Sequence, residues 1–197
     1  MPKGVEVQVL SRAPINNMLY TRKGDDGKTG LFGCDQKISK SSSITEALGC
    51  LDEANSYLGI CKILSKKELN ESKLNISSIV HRIQNNLFIV QAQVAGADKK
   101  INDEEVKYIE GVIFDIEKEL PPIKSFLISG ANEISASFDF ARTLVRRAER
   151  RVVDVSEEGI ALLDPRTLVF LNRLSSLLYA FARFYAKENG VEDSPKY

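Results

Sequence analysis

An all-α chain, arranged as a five-helix up-and-down bundle built on four long helices, is predicted by three observations. Five apolar stripes recur at helical spacing, the connections between them are short, and no strand-rich region follows the first 40 residues. Residues 1–40 read as an irregular extension. Val5, Val7 and Val9 alternate as in a short strand, and Gly24, Gly27, Gly30 and Gly33 then recur at every third position, a loop pattern. The first helix opens at Ser43, where Ser43 and Glu46 have capping-box spacing. It runs for about 20 residues on Ile44, Ala47, Leu51, Ala54, Leu58 and Cys61. Ile76, Ile79, Ile83, Leu87, Val90 and Val94 repeat the stripe after a polar linker at 65–73 and predict the second helix.

The third helix begins at Asn102 with Asp103, Glu104 and Glu105 in its first turn, where carboxylates suit the helix dipole, and it stops before Pro121 and Pro122. A fourth stripe, Phe138, Ala141, Val145, Ala148, Val152 and Val155, runs to Gly159. The fifth helix starts on Asp164 as N-cap and Pro165 at the first helical position, and continues through Leu168, Leu171, Leu178 and Tyr185. The expectation is one domain over 1–197, with the extension and loop in 1–40 and the bundle in 43–190.

Composition narrows the chemistry. The 197 residues carry 27 Lys and Arg against 27 Asp and Glu, so no global positive field favours nucleic acid and any basic site must be local. Cys34, Cys50 and Cys61 show no C-x-x-C spacing, and His81 is the one histidine, so neither a zinc framework nor a di-iron centre with two Glu-x-x-His pairs can be assembled. His81 reads as a surface or hydrogen-bonded histidine, and no Gly-x-Ser-x-Gly elbow occurs. Without an apolar run of signal or membrane-spanning length, the chain is expected to be cytoplasmic, reduced and free of membrane.

Three segments carry information. From Tyr20 to Gly30, closely spaced glycines, the hydroxyls of Thr21 and Thr29 and the charges of Arg22, Lys23 and Lys28 suit a polyphosphate, although the pattern is not a Walker A loop. A solvated glycine loop remains the alternative reading. On the fourth helix Arg142, Arg146, Glu149 and Arg150 fall within a sector of roughly 100° beside the apolar stripe, with Arg147 between and Arg151 pointing elsewhere. Guanidiniums on that shoulder need carboxylates or phosphates, either as ligands or within a salt-bridged surface. On the fifth helix Asn172, Ser176, Tyr179 and Arg183 share a sector, where a buried amide would seek either a neighbouring helix or a ligand.

Together, Tyr20 to Thr29, Leu48 to Glu53, Arg142 to Arg151 and Leu171 to Ser175 resemble, in order and over nearly the whole chain, the ATP:cob(I)alamin adenosyltransferases of the propanediol-utilisation type. The resemblance implies a bundle ferritin-like in shape, and a homotrimer that binds ATP between neighbouring subunits with the corrinoid beside it. It implies that Thr21, Arg22, Lys23, Gly24, Asp25 and Thr29 wrap the ATP, that Lys40 binds the triphosphate, and that Arg146, Arg147, Glu149, Arg150 and Asn172 hold the nucleotide from the helices. Asp52 and Arg142 match a salt bridge across the interface, and Phe126 matches an aromatic at the corrinoid. Arg146, Lys40 and Phe126 would carry the catalysis.

Mg²⁺ would ride on the ATP phosphates and cobalamin would be a substrate. A corrinoid reductase or an adenosylcobalamin-dependent acceptor enzyme would be a partner. The sequence departs from the family pattern at two places: Ser176 stands where an Asp usually follows Asn-Arg-Leu-Ser, and Leu127-Ile128-Ser129-Gly130-Ala131 replaces a Pro-Gly-Gly turn. The implied reaction needs no Ser, Cys or His nucleophile, because reduced cobalt attacks the 5′ carbon of ATP itself. The rival readings are an ATP-binding regulator that does not consume ATP, and a phosphoryl transferase with Asp25 as its candidate carboxylate.

Overall fold

The structure, a computed structural model, describes residues 20–31, 37–67, 74–123, 127–188 and 194–195. Val5, Val7, Val9, Cys34 and Phe126 lie outside them. In chain order the elements are β1 (Lys28–Gly30), β2 (Lys37–Ser39), α1 (Ser43–Lys67), α2 (Ile76–Val94), α3 (Asp103–Glu117), α4 (Glu133–Glu157) and α5 (Pro165–Glu188). The five predicted helices are all present, and every stripe residue named for the first, second and fourth is buried.

Three local expectations need correction. The predicted loop contains a short antiparallel ladder, with Thr29 opposite Ile38. Helix α1 has 25 residues and runs past the last stripe residue, Cys61, to Lys67, with Leu64 packed on the core and the buried Ser65 hydroxyl donating to the Cys61 carbonyl. The Ser43–Glu46 capping box does not form. Ser43 donates instead to Glu158, beyond the end of α4, and the Glu46 amide turns back to the carbonyl of Ser42 at 3.0 Å. A long-range partner has displaced the local one. Asparagine caps do open α2, α3 and α4: Asn75, Asn102 and Asn132 each accept from the amide three residues on, at 3.0, 2.9 and 2.8 Å.

Helix α1 packs on α2 and α4, and α5 packs on α4 and α3. Side-chain pairs give the directions. Glu53–Arg147 and Tyr57–Phe140 run antiparallel between α1 and α4, whereas Asp103–Arg166 and Glu110–Arg173 run parallel between α3 and α5. The helices therefore alternate up and down. Arg82 and Asn86 of α2 meet Glu105 of α3, and Thr167 of α5 donates to Gln93 of α2, which closes the ring. At its centre Phe138 stacks on Tyr185 with centroids 5.8 Å apart and leans on Phe181 at 5.1 Å. Truncating so buried a ring costs about 3–5 kcal/mol, which fixes α4 against α5 and thereby the residues on their shared edge.

Candidate functional site

The loop is a chain of turns. The amide of Asp25 reaches the carbonyl of Arg22, the amide of Gly27 that of Gly24, and the amide of Lys40 that of Gly27 at 2.9 Å. Two residues have left-handed backbone: Gly27, where glycine is at ease, and Arg22 at φ 58°, where a side-chain-bearing residue is strained. Lysines brace the loop. Lys37 Nζ donates to the Lys23 carbonyl at 2.9 Å and to Asp26 at 3.0 Å, and that bond holds the Asp26 carboxyl below its usual range. Lys40 Nζ donates to the Gly24 carbonyl at 2.8 Å, and Thr45 at the start of α1 donates to the Lys40 carbonyl at 2.9 Å. The structure thus brings Thr21, Arg22, Lys23, Gly24, Asp25, Thr29 and Lys40 together in one exposed knot beside the N-terminus of α1.

The arginines of α4 divide. Arg147 pairs with Glu53, Arg151 with Asp154 and Glu46, and Arg142 with Asp139 at 3.2 Å while its guanidinium lies 6.0 Å from the Tyr179 ring. Arg146 and Arg150 are exposed and have no ion-pair or hydrogen-bond partner among the described residues. Glu149, half-buried between them, accepts from Asn172 Nδ2 at 3.2 Å. Asn172 is not the buried amide expected. It is exposed, and its own oxygen accepts from Arg173, so it is held by neighbours on both sides. Asp52 is also exposed, and within the chain Arg142 finds Asp139 rather than Asp52.

Sequence reasoning placed Ser176, Tyr179 and Arg183 in one sector without giving it a purpose. They line a cavity of about 350 Å³ with Arg142 and Arg146 on one side and Ile113, Leu120 and Ile123 on the other. One wall is cationic and hydroxylated, and the other is mostly apolar with the Glu117 carboxylate among its residues. The apolar wall was missed because Ile113 and Leu120 belong to the far side of α3 and its exit, and only packing brings them here. Phe126 follows Ile123 by three residues and lies outside the described residues.

Among the described residues no hydrogen bond or ion pair joins the loop knot to Arg146 or Arg150. Cys50 and Cys61 are buried, and burial pushes the Cys61 thiol up to about 12, which disqualifies it as a nucleophile. His81 is exposed. Among the described residues no three His, Cys, Asp or Glu side chains gather as a cation site, and no helix is long and apolar enough to cross a membrane.

The sequence family described as cobalamin adenosyltransferase matches residues 19–185. A corrinoid adenosyltransferase PduO of Citrobacter freundii is 36% identical over 174 residues, which is 84% of this chain and 49% of the relative. The corrinoid adenosyltransferase of Bacillus subtilis is 34% identical over 181 residues, 89% of this chain and 90% of the relative. The chain spans about half the length of the Citrobacter and Salmonella PduO relatives that it matches. Among solved structures, a variant PduO-type ATP:corrinoid adenosyltransferase from Lactobacillus reuteri, complexed with cobalamin and ATP, superposes with a TM-score of 0.77 at 28% identity, covering 91% of this chain and 99% of that one.

Proposed function

Because the chain belongs to the cobalamin adenosyltransferase family, we propose that it transfers the 5′-deoxyadenosyl group of ATP to reduced cobalamin, giving adenosylcobalamin and triphosphate. The observation that carries this reading is the guanidinium of Arg146, without a partner among the described residues, on the lining of a cavity that Ile113, Leu120 and Ile123 also line, with the equally open Arg150 one turn further along α4. This lining suits an anion beside a large, partly apolar ligand.

In this reaction the cobalt electron pair forms a bond to C5′, the C5′–O bond breaks, and its electrons leave with the triphosphate. The protein aligns the two reactants and neutralises the charge that develops on the leaving group. Lys40, Arg146 and Arg150 do the latter, with Mg²⁺ on the phosphates. Thr21, Arg22, Lys23, Gly24, Asp25 and Thr29 wrap the nucleotide. Glu149 orients Asn172 at 3.2 Å, and Arg147 contributes less because Glu53 already holds it. The cavity between α3, α4 and α5 receives the corrinoid edge, and Phe126 supplies the aromatic that excludes water from its lower face.

The loop knot makes no hydrogen bond or ion pair with Arg146 among the described residues, which is compatible with a homotrimer in which ATP sits between neighbouring copies, with Asp52 of one meeting Arg142 of the next. The chain acts as one domain in the cytoplasm, supplied by a corrinoid reductase and drawn on by an adenosylcobalamin-dependent enzyme. The test is an anaerobic assay with reduced cobalamin and Mg-ATP. Adenosylcobalamin with triphosphate is expected. ATP bound but unconsumed would indicate a regulator, and ADP a phosphoryl transferase.

A further inference from the structure

Three hydrogen bonds that nucleotide chemistry does not require tie α5 to the two ends of the α3–α4 connection, 118–132. At the near end Arg183 Nη2 donates to the Pro121 carbonyl at 3.0 Å, and Lys187, one turn on, donates to the Glu119 carbonyl. At the far end the Asn132 side chain donates to the Tyr185 carbonyl at 2.8 Å while its oxygen caps α4. Pro121 and Pro122 have no N–H, so their backbone can be held only through its carbonyls. Arg183 is only 6% exposed and lines the same cavity as Leu120 and Ile123. Burying a guanidinium is expensive unless it is bonded, and a bond from a charged donor to a carbonyl is stronger than a neutral one.

We propose that Arg183 is a positioning residue for the corrinoid: by holding the Pro121 carbonyl it sets Ile123, two residues on, against the cavity before the corrinoid arrives. The inference rests on the adenosyltransferase reading above and adds a residue to it. Arg183 touches no reacting atom. Its effect is to spare the corrinoid the work of ordering that wall.

The test compares the full-length protein with Arg183→Met, which keeps the bulk and loses the donors, and with Arg183→Lys, which keeps one. In steady-state assays Arg183→Met is expected to raise KM for cob(I)alamin about tenfold while KM for ATP stays within about twofold. In the ligand-free protein, amide exchange at Lys118, Glu119 and Leu120 is expected to quicken by about tenfold, with the amides of α4 unchanged. Arg183→Lys should recover most of both. Wild-type exchange and corrinoid KM in Arg183→Met would overturn the proposal, as would equal losses for ATP and corrinoid. If Arg183→Met does not fold, the exposed Lys187→Met loosens the same end and must shift both readouts in the same direction, or the proposal fails. A wild-type protein that makes no adenosylcobalamin would overturn the functional reading instead, with the exchange measurement still deciding whether Arg183 holds the connection.

Discussion

Arg82 and Arg146 both stand on the shoulder of an apolar stripe, yet the fold closes one and leaves the other open. Arg82 gives two bonds of 2.9 Å to Glu105, sits over the Tyr108 ring with its guanidinium carbon 3.7 Å from the centroid, and shares Glu105 with Asn86. Arg146 faces a cavity with no partner among the described residues. A guanidinium closed by its own chain strengthens the fold, whereas one left open adds nothing until an anion arrives. The contrast recurs within α4, where Arg147 and Arg151 are closed and Arg146 and Arg150 are open.

Breaking the open pair should have the largest effect. Replacing Arg146 and Arg150 together with alanine is expected to lower turnover at least a hundredfold, about 2.7 kcal/mol, and Arg146→Ala alone at least tenfold, with the melting temperature unmoved. An unchanged rate at saturating ATP would remove Arg146 from the site. Arg82→Ala should do the reverse, losing about 1.5 kcal/mol of unfolding free energy in a urea titration while kcat stays at the wild-type value.

The closed network also predicts a pH dependence. Arg82 holds the Glu105 carboxyl below its usual range. The resulting stability is complete above the ordinary glutamate pKa and is lost as pH falls through the lower, folded-state value. Glu105→Gln should therefore flatten the acid limb of the stability profile, and a profile parallel to wild type would refute the assignment. The smallest effect belongs to Arg147→Ala, whose exposed pair with Glu53 is worth about 0.5 kcal/mol and whose loss should cost turnover less than Arg146→Ala does.

What the sequence revealed followed from period. Ile76 to Val94 and Phe138 to Val155 declare their buried faces through spacing alone, and the sector holding Arg146 and Arg150 emerges from the same 100° step. What it concealed depends on distant pairs. Nothing local says that Glu53 closes Arg147, that Glu158 takes Ser43 from its capping box, or that Ile113 forms the wall opposite Ser176. Asn172 was misjudged because a helical sector gives an angle but not the distance to the next helix. In this structure it faces outward, held by Glu149 and Arg173.

Arg22, with its left-handed backbone, has a bearing on how fast a ligand is captured. Holding a residue with a side chain in that region costs about 1 kcal/mol, and folding, not binding, bears the penalty. The encounter therefore does not wait for a rare loop shape to form. Capture should proceed as a single exponential whose rate rises in proportion to nucleotide concentration. Arg22→Gly would release the strain and return the loop to many shapes, and the association rate would fall by the fraction of time spent in the others.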